Sequence, residues 1–256
     1  MTKNHIKRIN APKRWNILRK DKVFISRPNP GRKLELAVSL NTALKEMLGK
    51  TSTTKESKYM IRSQGVLVNG TRRYDEKFPV GFLDVLSLPT IGEHYRLIVN
   101  DNNKLTFTKL TEAESKVKIS KISTKMQLPG GKLQVNCTDG RNFLMDHKDA
   151  MKLATGDTVL YSMPDQKIQE SFKLEKGVLA FLYMGRHVGE TVKIDDFKAA
   201  NIIFTLNGQS YETKKSYAFA IGKDKPAITV TEHKAASGHK EAEHKPAAKK
   251  HKAKEE

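Results

Sequence analysis

Apolar residues at Leu36, Leu40, Ala43, Leu44, Met47 and Leu48 recur at spacings of three and four. That is the period of an amphipathic helix, and it predicts one over 36–48 with Gly49 as its stop. Thr53 stands three residues before Glu56, a capping-box signature that opens a second helix, and Gly65 closes it. Tyr59 and Met60 are expected to face the first helix, while Lys55, Lys58 and Arg62 share another face at i, i+3 and i+7. Val66–Val68 then reads as a strand, Asn69-Gly70 as a hairpin turn, and Thr71–Tyr74 as the return strand. The unit is two helices and a hairpin in about 40 residues.

Beyond Pro79 the period changes to two. Phe82–Leu88 and Tyr95–Val99 are apolar runs, and Leu105–Leu110 and Val117–Ile122 alternate strictly. Leu133, Val135 and Cys137 alternate up to the turn signal Asp139-Gly140, and Phe143 and Met145 alternate after it. Val159–Met163 is a further strand. A third β region opens at Gly177, and Ile202, Phe204 and Leu206 lead into a hairpin signal at Asn207-Gly208. Short strands at this spacing predict small barrels or sandwiches. The fold class expected is α+β and mostly β. Its parts are a basic arm at 1–35, the helix–helix–hairpin unit at 36–90, a central β domain at 91–172, a small β-barrel at 173–230 and a disordered tail at 231–256.

Charge sharpens this picture at the two ends. The chain has 256 residues, a formal net charge of +19 and 38% hydrophobic residues. Residues 1–33 hold eleven Lys or Arg and one acid, Asp21. Pro12, Pro28, Pro30 and Gly31 forbid a long helix there, so the segment reads as a solvated arm that orders on a polyanion. Nucleic acid is the leading partner for such an excess, with an anionic membrane surface as the rival. No run approaches the roughly 20 apolar residues that cross a bilayer, and no secretory signal is read at the amino end. The single cysteine, Cys137, suits a reducing, intracellular setting.

Candidate chemistry adds little. The chain contains no G-x-S-x-G, no H-E-x-x-H and no paired-cysteine spacing. "GRHVGET" at 185–191 echoes a phosphate loop, but Glu190 stands where the lysine belongs and repels phosphate. Asp195-Asp196 is an adjacent pair whose side chains diverge, and reads as a solvated turn. His233, His239, His244 and His251 fall irregularly in the lysine-rich tail, and His147 and His187 stand alone on turns. No metal, cofactor, small-molecule substrate or catalysis is expected.

The stretch with Lys58, "QGVLVNG" at 64–70 and Arg72-Arg73 resembles the RNA-binding helix–helix–hairpin module of a bacterial small-subunit ribosomal protein, tyrosyl-tRNA synthetases and pseudouridine synthases. "HIKRINAPKRW" at 5–15, "RPNPGRK" at 27–33 and "YDEKFPVGFLDVLSL" at 74–88 narrow the match. With "GGKLQVNCTDGRNFLMD" at 130–146, "TGDTVLYSMPDQKI" at 155–168 and "YAFAIGKDKPAITV" at 217–230, the chain resembles the archaeal and eukaryotic type of small-subunit ribosomal protein four. Gly177–Ile194 is similar to that family's KOW motif, departing from the usual pattern at Thr191-Val192, where a second glycine is common.

The resemblance implies a non-catalytic component of the cytoplasmic ribosome that binds small-subunit ribosomal RNA, in its 5′ domain, and neighbouring ribosomal proteins. The arm is expected to thread between RNA helices with Lys7, Arg8, Lys13, Arg14, Arg19 and Lys20, then Arg27, Arg32 and Lys33. Trp15 can stack on a base or sugar, or dock on the folded body. Lys55, Lys58 and Arg62 on the helix, Asn69, Arg72 and Arg73 at the hairpin, and Arg186 in the KOW turn complete the expected contacts. Two other readings fit the modules: an RNA-modifying enzyme, for which no catalytic aspartate is recognisable, and a free RNA chaperone or translation-regulatory factor.

Overall fold

The computed structural model describes residues 4–206, 208–223 and 225–230. The tail expected to be disordered, with its four histidines, and Asn207 of the third hairpin signal lie outside the described residues. The chain is α+β and mostly β, with several antiparallel sheets, one of them a half-barrel.

The amino-terminal segment carries β1 (Ile6–Lys7) and β2 (Phe24–Ile25), which pair with each other. Next come β3 (Ala37–Ser39) and helix α1 (Leu40–Thr42), which winds on as a π-type turn over Ala43–Met47. The helix thus begins four residues later than its apolar spacing predicts. Ala37–Ser39 pair with β6 (Pro79–Gly81) instead, and Ser39 caps the helix by accepting the Thr42 N–H at 3.2 Å. Helix α2 (Thr54–Tyr59), continued over Met60–Gly65, starts with the expected reciprocal box between Thr53 and Glu56. Its buried side is Ser57 and Ile61. Tyr59 is 69% exposed, so it does not face the first helix. The hairpin of β4 (Leu67–Val68) and β5 (Thr71–Arg72) turns at Asn69 and Gly70, both at positive φ, as a type I′ turn demands.

This hairpin continues into β7 (Val85–Leu88), β8 (Glu93–Val99) and β9 (Leu105–Leu110), giving the sheet order β5-β4-β7-β8-β9. Strands β8 and β9, expected in the central unit, therefore join the hairpin's sheet through β7. Alternation marks a strand but not its partner. After the short helix α3 (Glu112–Ser115), the second sheet is built from β10 (Val117–Gln127), β11 (Lys132–Cys137) and β12 (Asn142–Asp146). Helix α4 (His147–Met151), β13 (Thr158–Ser162) and β14 (Ile168–Phe172) follow, and the sheet order is β12-β11-β10-β13-β14. Its long strand β10 pairs with β13 along its first half and with β11 along its second, the switch falling at a bulge beside Ile122. The third sheet takes β15 (Leu179–Leu182), β16 (Thr191–Lys198), β17 (Asn201–Leu206), β18 (Gln209–Lys214) and β19 (Ala218–Gly222), in the order β18-β17-β16-β15-β19.

The three sheets share one apolar cluster. Leu83 and Ile98 come from the first sheet region, Ile119 and Leu160 from the second, Phe181, Phe219 and Ile221 from the third, and Ile228 and Val230 from the segment after it. Phe82 stacks on Phe181 and Tyr183 at centroid distances of 6.0 and 5.4 Å. Gly189, at φ +90°, lies so close to the Asn100–Asp101 peptide that a Cβ would meet it at 2.6 Å, so no other residue fits that crossing. Buried polar bonds lock the same joints. Lys121 Nζ donates to the carbonyls of Lys215, Ser216 and Ala218 at 3.0, 3.3 and 2.7 Å, and burial lowers its pKa to about 8. Arg96, wholly buried, donates to the carbonyls of Thr229, Glu114 and Val117 at 3.1–3.2 Å, and desolvation holds its pKa down to about 10.

Candidate nucleic-acid interface

The arm is not free. Trp15 is fully buried in the core of the first sheet, together with Ala11, Ile25 and Leu105. Its indole Nε1 donates to the Leu34 carbonyl at 3.1 Å, and the Leu105 N–H donates to the Arg14 carbonyl at 2.7 Å. Of the two roles open to Trp15, docking is the one the structure holds. Ordering of the segment needs no polyanion, because its own apolar residues find a core.

Docking also turns arginines inward: it corrects one expected contact, Arg8, and engages two others, Arg19 and Arg32, with partners inside the protein. Arg8 is 1% exposed: its guanidinium pairs with Glu46 through Nη2 and donates from Nη1 to the Leu18 carbonyl at 2.8 Å. Arg19 directs its guanidinium at backbone carbonyls, at 2.8 Å to Ala11, 2.9 Å to Pro12 and 3.2 Å to Ile9. A proline-broken chain has no ladder to satisfy these carbonyls, and the fork of arginine supplies the missing donors. Arg32 pairs with Asp84 at 3.1 Å. Arg14 is half-buried, and desolvation lowers its pKa while Glu35 opposes that shift. Arg27 is half-buried, whereas Lys7, Lys13, Lys20 and Lys33 are exposed.

Beneath the hairpin lies a buried ionic cluster that sequence reasoning missed. Asp84, 1% exposed, accepts from Lys118 Nζ at 2.6 Å, the Gly81 N–H at 2.7 Å, Asn69 Nδ2 at 3.0 Å and Arg32. Lys118, equally buried, also holds Asp139 at 2.9 Å, and Asp139 accepts the Tyr161 hydroxyl at 2.8 Å. Although burial opposes it, the cations hold both carboxyls below the usual aspartate range. Asn69 is therefore a second correction. Its Oδ1 accepts the Val85 N–H at 3.0 Å and the residue is 5% exposed, so it is a joint, not an RNA contact. One signal was available: Asp84 is the lone carboxylate inside the apolar run 78–88. Such a charge is kept only with partners.

The helix and hairpin present their cations outward. Lys55, Arg62 and Arg72 are exposed, and Lys58 is exposed beside Glu76 at 3.1 Å. Arg72 donates to the Arg62 carbonyl at 2.9 Å, a helix-end oxygen without an intrahelical partner, and lies 5.0 Å over the exposed ring of Tyr74. The helix end and the hairpin are thereby held as one patch, with Tyr59 and Tyr74 as open aromatic faces among arginines. Arg73 is half-buried over Phe78 at 4.3 Å, and Arg186 is exposed in the β15–β16 turn. Among the described residues no three His, Cys, Asp or Glu side chains gather as metal ligands, and no helix is long and apolar enough to cross a membrane. Burial pushes the Cys137 thiol up to about 12, which removes it as a nucleophile at neutral pH.

Two family models match the chain: "Ribosomal family S4e" over residues 91–168 and the "RS4NT (NUC023) domain" over residues 2–31. Small ribosomal subunit protein eS4 of Methanosphaera stadtmanae is 35% identical over 236 residues, 90% of this chain and 96% of that protein. The eS4 protein of Methanococcus vannielii is 33% identical over 240 residues, 89% of this chain and 98% of the relative. Among solved structures, the crystal structure of 30S ribosomal protein S4e from Thermoplasma acidophilum superposes with a TM-score of 0.65 at 29% identity. It covers 77% of this chain and 99% of that one.

Proposed function

The chain belongs to the S4e (eS4) family of small-subunit ribosomal proteins, a structural family and not an enzyme class, and from that premise we propose that it binds small-subunit ribosomal RNA and supports assembly of the subunit and translation. The RNA region is the 5′ domain, and the other partners are neighbouring small-subunit proteins on the cytoplasmic ribosome.

The observation that carries this reading is the outward patch of Lys55, Arg62 and Arg72, backed by the exposed lysines of the docked arm. Those groups meet phosphates whose geometry is fixed by a folded RNA, so the contacts position without reading sequence. Tyr59 and Tyr74 offer stacking faces for unpaired bases beside them. The β15–β16 hairpin within Gly177–Ile194 serves as the KOW-type element, with Arg186 at its turn as the contact. Charge this far from neutral has one further role: it raises the rate of encounter with a polyanion and makes binding steeply salt-dependent.

Sucrose-gradient sedimentation of cell extract at moderate salt tests the reading. The protein is expected to travel with the small subunit. Recovery of the bulk in the top fractions would identify a free RNA chaperone or translation-regulatory factor and overturn the proposal.

A further inference from the structure

A cleft of about 530 Å³ opens where the arm, the hairpin and the second sheet meet, lined by Asn29, Arg32, Arg73, Phe78, Arg141 and Gln166. Two carboxylates, Asp84 and Asp139, also reach it. Both are neutralised from below: Lys118 bridges them at 2.6 and 2.9 Å, and Arg32 adds a second cation to Asp84. The floor is thus neutral, with two acids against Lys118 and Arg32.

Arg73 and Arg141 stand outside that balance. Among the described residues neither guanidinium has an ion pair. Arg73 is braced by stacking 4.3 Å over Phe78, and its Nε is shielded from solvent without a hydrogen-bond partner. Arg141 lies 5.9 Å over the ring of Tyr161, whose hydroxyl is anchored on Asp139. Two arginines, each braced on an aromatic ring, line one polar cleft, one just past the β4–β5 hairpin and one in the β11–β12 turn. An arginine fork held in this way is pre-organised for a tetrahedral oxyanion. A shielded, unpartnered N–H is costly unless a ligand accepts it.

We infer that Arg73 and Arg141 form a two-arginine clamp, across the joint between hairpin and second sheet, for a single backbone phosphate of the bound RNA. The inference rests on the RNA-binding reading above and adds to it a residue, Arg141, that neither the basic arm nor the hairpin pattern points to. A phosphate held there bridges two sheets at once, so the RNA strand itself becomes part of the joint.

The test uses the full chain and small-subunit ribosomal RNA. Affinity is measured across a salt series for the wild type and for Arg73→Gln with Arg141→Gln. The expected result is binding on the order of tenfold weaker, with a log–log salt slope smaller by about 0.7–0.9, as when one phosphate is no longer neutralised. Equal affinity and slope in a variant that melts like the wild type overturns the clamp. Failure of the wild type to bind the RNA at all overturns the proposed function instead.

Arginine-selective dicarbonyl labelling of the wild type is independent of the variant's folding. RNA is expected to protect Arg73 and Arg141 together, and unprotected labelling of both in the complex overturns the clamp. Inorganic phosphate added to the free protein is expected to leave its melting temperature unchanged. A rise that the double variant abolishes identifies a free-anion site and overturns the assignment to RNA backbone.

Discussion

The arm and the helix–hairpin patch are both basic in sequence, yet they use their cations in opposite ways. In the arm, Arg8, Arg19 and Arg32 point into the protein and hold Glu46, backbone carbonyls and Asp84. On the helix and hairpin, Lys55, Arg62 and Arg72 point to solvent. The difference follows from the backbone beneath them. The helix and the hairpin ladder satisfy most of their own carbonyls, and Arg72 reaches only the helix-end carbonyl of Arg62 while its side chain stays exposed. Outside the short β1–β2 pair the proline-rich arm has no ladder, so its carbonyls recruit the nearest guanidinium groups. Positive charge in a sequence therefore predicts a partner of opposite polarity, and local backbone pairing decides whether that partner is external.

The comparison breaks most visibly if the arm is not anchored. Trp15→Ala should cost about 3–5 kcal/mol and expose residues 4–35 to protease, whereas the wild-type arm should resist cleavage even without RNA. Urea denaturation and limited proteolysis read both, and a protease-labile wild-type arm would contradict its docking.

Asp84→Ala should cost a similar amount, about 3–5 kcal/mol, because it strands the buried Lys118 and the Arg32 that reaches in from the arm. The same cluster sets the acid response. The folded-state pKa values of Asp84 and Asp139 lie below the unfolded value of about 3.9, so their stabilisation is complete above that pH. It fades as pH falls further, because the unfolded chain takes up protons first. Asp84→Asn should therefore show a shallower loss of stability between about pH 4 and pH 2, measured by denaturant midpoints. An acid limb as steep as the wild type's would point to other carboxylates.

Arg8→Ala should lower stability by about 2 kcal/mol while leaving the salt slope of RNA binding unchanged. Arg62→Ala with Arg72→Ala should do the reverse. The slope drops by about 0.7–0.9 for each phosphate left unneutralised, and stability stays within about 0.5 kcal/mol. If both variants moved the same quantity, the inward and outward classes would merge. The smallest effect belongs to Glu76→Gln, which frees Lys58 from its exposed ion pair: stability should change by less than about 1 kcal/mol, and RNA affinity should rise slightly.

Much of the local structure was legible because it rests on chemistry between near neighbours. The Thr53–Glu56 box, the positive-φ turn at Asn69-Gly70 and the hairpin around Asp139-Gly140 are set within a few residues. What escaped depends on distant partners. Ala37–Ser39 sit in a helical spacing but pair with Pro79–Gly81, and the apolar run of β8 and the alternation of β9 read the same whichever sheet they join. In the same way, Arg8 and Lys7 look alike in the sequence, and partners further along the chain, the Leu18 carbonyl and Glu46, separate them. Asn69 carried both kinds of information. Its turn was readable from the following glycine, but its hydrogen bonds to Asp84 and Val85 were not.

The bonds from Arg96 bear on how the molecule is made. Residues 228–230 close the cluster around Leu83 and Ile98, and Thr229 accepts from an arginine 133 positions earlier. Contacts of such sequence separation form late. While the chain is still growing, the first sheet is left with a buried cation short of an acceptor and an apolar face uncovered. Maturation of the amino-terminal half thus waits on the segment that carries Ile228 and Val230 to leave the exit tunnel, and a chain cut short before Ile228 should be recognisable to quality control by that open face.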